Sequence, residues 1–133
     1  MEINEIEFKY LKQFILGGRA EIVVKNTRSG NHITYKILKS KTNDIAYQIK
    51  HLKIYLGTYY SNINAFTYTP NKIVQDSKEF KVIVKLIDFI FVQERLPIDV
   101  VVLSTGRCSV CNRTLKDPEY IKIGIGKYCL TQI

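Results

Sequence analysis

Tryptophan is absent from the 133 residues, and methionine occurs once. Cysteine occurs three times, an odd number that argues against a disulfide framework. No apolar run approaches the roughly 18 to 20 residues that a bilayer span requires. The N-terminal Met1-Glu-Ile-Asn-Glu5 is acidic and lacks the basic start and apolar stretch of a signal peptide. These absences predict a cytoplasmic protein, a setting in which thiols stay reduced. Only 7 Gly and 3 Pro are present, and no repeat or low-complexity segment is visible. Acidic residues are also scarce, 12 against 20 Lys and Arg, which gives a net charge of +8. That excess favours a polyanionic partner or an acidic protein surface. What remains is globular in composition, 46% hydrophobic and 24% charged, and long enough for one core.

The chain reads as α+β: a small antiparallel sheet, a long packed helix and a C-terminal zinc-knuckle module. Ile3, Glu7, Tyr10, Leu11, Phe14 and Ile15 recur at roughly helical spacing, and Gly17-Gly18 supplies a stop. Ala20 to Asn26 and His32 to Leu38 are β-prone runs around the turn signal Thr27-Arg-Ser-Gly30. Alternation places Ile33, Tyr35 and Ile37 on one face. Ile45 to Tyr60 is strand-like, with a phase irregularity near His51 that signals a turn or bulge. Phe66 to Thr69 adds a further strand before Pro70, for four or five in all. Asp76, with Glu79 three residues on, predicts a capped helix over about 77–95, its broad apolar face including Phe80, Ile83, Ile87 and Ile90. Ile98 to Leu103 reads as a buried strand. The expected division is an α+β unit over 1–97 and a zinc-binding module over 98–133 packed on it.

Cys108 and Cys111 have the two-residue spacing that lets two thiolates converge on one metal, and Cys129 follows after seventeen residues. Gly124 and Gly126 allow a tight turn toward that metal. The spacing predicts a structural Zn²⁺, against the plainer alternative of three buried thiols. A structural zinc takes four ligands, and the cysteine segment contains no His. The candidates for the fourth are His51, His32, Asp117, the C-terminal carboxylate of Ile133 and water, with His51 preferred for its place at the strand irregularity. Ser104 and Gln132 are poor zinc ligands.

Gly106-Arg-Cys-x-x-Cys-x-Arg-x-Leu115, Asp117-Pro-Glu-x-Ile121 and Gly124-Ile-Gly-x-x-Cys129 together resemble the C-terminal signature of a protein family common in phage, prophage and plasmid genomes. Ile15-Leu-Gly-Gly-Arg-Ala20, Ser29-Gly-x-x-Ile-Thr-Tyr35-Lys and Ile54-Tyr-Leu-Gly57 echo its β-rich N-terminal part more loosely. Members often carry a His before the Gly-Arg-Cys element, where this chain has Leu103-Ser104. The Pro after Gly-Ile-Gly is Lys127 here. The resemblance implies a small protein of a mobile element in a bacterial cytoplasm, with no assigned reaction.

Enzyme signatures are missing. No His-x-Glu precedes the Cys-x-x-Cys, as a zinc deaminase needs, and P-loop, dinucleotide and hydrolase motifs are absent. The chain is expected to be no enzyme, with no small-molecule substrate and no membrane partner. Two binding readings follow. In the first, nucleic acid is held by Arg107, Arg113, Lys116, Lys122 and Lys127 on its phosphates, with Tyr120 and Tyr128 stacking on bases. Lys25, Arg28, Lys36, Lys50 and Lys53 interleave with Tyr35, Tyr47, Tyr55 and Tyr59 on the sheet as a second such surface, although half of those Tyr belong in a core. In the second, the chain is a protein-binding inhibitor of a host defence system, for example an anti-CRISPR or other anti-defence protein.

Overall fold

The computed structural model describes residues 4–132. A six-stranded antiparallel sheet with the order β5-β4-β3-β2-β1-β6 forms the frame. Helix α1 (Phe8–Ile15) precedes β1 (Arg19–Asn26), β2 (His32–Lys39), β3 (Ala46–His51), β4 (Ile54–Tyr60) and β5 (Ala65–Tyr68). Next come α2 (Lys72–Gln75) and α3 (Lys78–Asp88), then a π-helical turn (Phe89–Gln93) and β6 (Val100–Ser104). The short helices α4 (Pro118–Ile121) and α5 (Lys127–Leu130) complete the chain.

The meander β1 to β5 follows from its turns. Asn26 Oδ1 accepts from the Arg28 and Ser29 amides at 2.9 and 3.1 Å, and Gly30 takes a positive φ of 78°. This closes the β1–β2 hairpin in the expected place. The irregularity near His51 is both a turn and a bulge. His51 pairs with Ile54 across a tight turn in which Leu52 has φ 55°, and the β3–β4 register shifts between Ile49 and Lys50.

Alternation buries one face of the sheet. Ala20, Ile22, Tyr35, Ile37, Ile49 and Val102 are each almost fully enclosed. From the helices, Leu11, Phe14, Ile83, Leu86, Ile87 and Ile90 join the same core. Tyr35, Tyr47 and Tyr59 are buried as well. Their hydroxyls donate to the Glu79 carbonyl, the Leu16 carbonyl and Asn64 Oδ1. Three of the four tyrosines read as a stacking surface on the sheet are therefore core residues with satisfied hydroxyls, and they are unavailable for stacking on bases. Ile87, 5% exposed, tests this placement: Ile87→Ala should cost about 2–5 kcal/mol in denaturant unfolding. A loss below about 0.5 kcal/mol would be that of a surface position.

Several boundaries differ from the sequence reading. The helix expected from residue 3 begins at Phe8, because residues just before it run beside β6: Glu5 bridges Leu103, and the Ile6 amide donates to the Val102 carbonyl at 2.9 Å. Ile3 lies outside the described residues. Ser77, not Asp76, caps α3, its Oγ accepting from the Phe80 amide at 3.2 Å. Asp76 instead ends α2 and pairs with Lys72 at 3.4 Å. The helix expected over 77–95 is α only through Asp88, and after the π turn Glu94 leaves it with φ 55°. Ile98, expected in a buried strand, is 88% exposed, because Asp99 turns at φ 62° and β6 begins only at Val100. β6 lies beyond the expected boundary at 97/98 and is hydrogen-bonded to β1 in the main sheet.

Candidate metal centre

The cysteine segment leaves β6 through Gly106, which has φ 83°. It folds back on itself: the Cys108 amide donates to the Arg113 carbonyl at 2.8 Å and the Leu115 amide to the Gly106 carbonyl at 2.7 Å. This antiparallel ribbon carries Cys108 and Cys111 on its tip, and Asn112 closes the tip at φ 67°. Asp117 then caps α4, accepting from the Glu119 amide at 2.9 Å. Gly124 turns the chain, and α5 returns Cys129 to the other two cysteines.

The three sulfurs lie within 4.8 Å of one another, a separation at which they could hold one metal ion. Cys108 and Cys129 are buried and Cys111 is half-buried. Two backbone amides point at the Cys108 sulfur, Val110 at 3.4 Å and Gly126 at 3.3 Å. Amide donors of this kind stabilise a thiolate. Burial alone would push the Cys108 thiol up, but the amides of Gly126, Cys111 and Val110, with the Cys111 thiol, outweigh it and hold its pKa below the ordinary value. Cys129 is pushed up to about 12 by burial and by the adjacent Cys111 and Cys108 sulfurs. Three converging thiols therefore resist ionising together unless a cation sits among them.

The segment is fastened to the rest of the fold through Ser109 and Gly124. The Ser109 amide donates to the Gly124 carbonyl at 3.0 Å, and its carbonyl accepts from the Arg19 amide at 2.6 Å. A Cβ on Gly17 would overlap Ser109, so the α1–β1 turn needs a glycine there to let the knuckle approach. Ile123 and Ile125 are buried beside the cysteines, with Tyr10 of α1 packed against both this cluster and the main core. Sequence reading missed Ser109 and Gly17. Their only sequence signal is the Gly17-Gly18 pair, which reads as a helix stop and as part of the Ile15–Ala20 resemblance.

The expected fourth ligand is not brought in. The converging group consists of the three cysteines alone among the described residues. His51 Nδ1 lies 2.9 Å from the Thr34 carbonyl, which ties β3 to β2. His32 is exposed at the start of β2, the Asp117 carboxylate is engaged as a cap, and Ile133 lies outside the described residues. Of the predicted nucleic-acid residues, Arg107, Arg113, Lys116 and Lys127 are exposed, and Tyr128 is 76% exposed. Lys122 is half-buried and pairs with Glu7 at 3.7 Å, while Tyr120 packs against the cysteine cluster. No described helix is long and apolar enough to cross a membrane. No family model, curated protein or solved structure matches the chain.

Proposed function

We propose that this chain is a small non-enzymatic accessory protein of the phage and mobile-element type. In this reading it is built around a structural zinc ion and binds nucleic acid beside that ion. The convergence of the three sulfurs within 4.8 Å, with amides aimed at one of them, carries the reading. Thiolates are soft ligands that suit zinc, and a structural zinc would need a fourth ligand beyond the three sulfurs. Cys108, Cys111 and Cys129 would hold the ion, which closes the ribbon onto α5 and fixes the surface around it. Arg107 and Thr114 face each other across the ribbon, so Arg107 and Arg113 are carried on its two neighbouring strands. Lys127 and Tyr128 open α5 on the chain that returns to the sulfurs. Cations and one exposed aromatic ring beside a rigid metal knuckle suit phosphate contact with base stacking. Lys122 and Tyr120 contribute less, since the first is paired and the second is packed.

The test is a triple reversal, Arg107→Glu, Arg113→Glu and Lys127→Glu. All three side chains are exposed, so folding and metal content should be unchanged. Binding to single- and double-stranded DNA should be lost equally on unrelated sequences, because phosphate contacts carry no sequence information. The wild-type affinity should fall steeply with salt, by about 0.7 to 0.9 in log slope per phosphate contacted. Absence of wild-type binding at about 50 mM salt would overturn the nucleic-acid reading and leave the charge to a protein partner.

A further inference from the structure

A second surface lies away from the cysteines, where α3 crosses the Val24–Asn26 end of β1. Two adjoining cavities of about 620 and 410 Å³ meet there, sharing Val24, Asn26, Val82 and Val100. One extends to the β1–β2 turn and Lys78, the other to Phe89 and the Pro97-Ile98 loop. Together they form a groove along α3 from Lys78 to Phe89, roughly 16 Å at 1.5 Å per residue. Its floor is apolar: Val24 and Leu86 from the core edge, with half-buried Val82, Phe89 and Val100. Ile98 stands at its mouth, 88% exposed. Its rim is basic. Lys78 and Lys85 line the cavities, Lys81 continues their stripe on α3 in an adjoining hollow that Asp76 also lines, and none of the three lysines has an ion-pair partner among the described residues. Arg95 stands over the Phe89 ring at 4.9 Å. Among the described residues, Glu79 is the single acidic side chain lining the two cavities.

We propose that this groove receives an acidic, amphipathic helix of a partner protein, its apolar stripe on the valine floor and its carboxylates against the lysine stripe. Three observations select that occupant. Phosphates would gain nothing from a floor of Val24, Val82 and Val100, and with the Phe89 ring already covered by Arg95 only the His32 imidazole at the β1–β2 end is left for stacking, so nucleic acid fits poorly. A second copy of this chain carries a net charge of +8 and would be repelled. An added β-strand has no free edge on β6 at 102–104, because the Ser104 amide already donates to the Asn4 carbonyl at 2.8 Å and the Ile6 amide to the Val102 carbonyl at 2.9 Å. A helix of about three turns matches the groove's length and lays its i, i+3, i+4, i+7 stripe along it. The site owes nothing to the metal or to the nucleic-acid reading.

The experiment titrates the full chain with a designed peptide of about four helical turns, Leu on one face and Glu on the rest. A scrambled peptide of the same composition and a mixed-sequence oligonucleotide serve as the other probes. Methyl resonances of Val24, Val82 and Val100 report occupancy. The amphipathic peptide should shift all three and bind at least about tenfold more tightly than the scrambled one, a difference of about 1.4 kcal/mol. Lys78→Glu with Lys85→Glu, both exposed, should weaken it by at least about tenfold while circular dichroism stays unchanged. Ile98→Ser should weaken it without unfolding the chain. Equal binding of the scrambled peptide would reduce the contact to bulk charge and overturn the proposal. So would methyl shifts caused by the oligonucleotide and reversed by competition with the peptide, or the absence of shifts with any probe. The triple reversal beside the cysteines should leave peptide binding intact, which separates failure here from failure of the nucleic-acid reading.

Discussion

Cys108→Ser is expected to abolish zinc binding and to unfold the segment between Gly106 and Leu130. Cys108 is 1% exposed, and the amides of Val110 and Gly126 are organised around its sulfur. A serine hydroxyl at the same place is too weak an acid to replace a thiolate at neutral pH. In small zinc modules the metal supplies roughly 10 kcal/mol or more of folding free energy, comparable with the whole net stability of a domain, about 5–15 kcal/mol. Elemental analysis of protein purified without added metal should give about one zinc per chain for the wild type and none for the variant. Cys111→Ser should behave alike, since each thiol is one of three. Affinity should fall as pH is lowered, because protons compete for the same sulfurs. A wild-type chain that is fully folded and free of metal would show the three cysteines to be ordinary core thiols.

How much of this was legible in the sequence depended on whether the deciding contact was local. The β1–β2 hairpin was legible because Thr27 to Gly30 signal the turn, and alternation in Ile33, Tyr35 and Ile37 signals the buried face. The cysteine trio was legible because spacing alone sets where thiols can converge. The cap of α3 was misplaced by one residue. Asp76 and Ser77 are both good caps, and the choice fell to the short helix α2, which uses Asp76 at its own end. The start of α1 was misjudged because an extended segment pairing with β6 looks helical in apolar spacing until its long-range partner is known. The sequence marks His51 as a metal candidate only by its position at an irregularity. The irregularity was real, but strand register places its Nδ1 on the Thr34 carbonyl instead. The groove beside α3 could not be read at all: its lining comes from β1, the β1–β2 turn, α3 and the 95–100 segment, which only the packing brings together.

The cysteine segment should also prove mechanically tied to the main core through a further side-chain contact, Phe14 on Gly124. Phe14 of α1 is fully buried. Gly124 has φ 79°, and a Cβ there would overlap the Phe14 ring and come within 3.0 Å of Ile6 Cδ1. Gly124→Ala therefore meets two penalties, about 1–2 kcal/mol for a left-handed non-glycine residue and about 1–3 kcal/mol for overpacking. Phe14→Ala should cost about 3–5 kcal/mol through the cavity it leaves. These two changes are not independent, because the space vacated by the ring is the space the new methyl needs. The double variant should be less destabilised than the sum of the singles, by about 0.5–3 kcal/mol of coupling. Chemical denaturation of the full chain would measure it. Strict additivity would mean that Gly124 is required only for its backbone conformation and that the ring contact transmits nothing. Substantial coupling would show that α1 reads the position of the Gly124 turn directly. The cysteine segment would then be anchored from the core side as well as through its own converging thiols, which the proposed rigid presentation of Arg107, Arg113 and Lys127 would require.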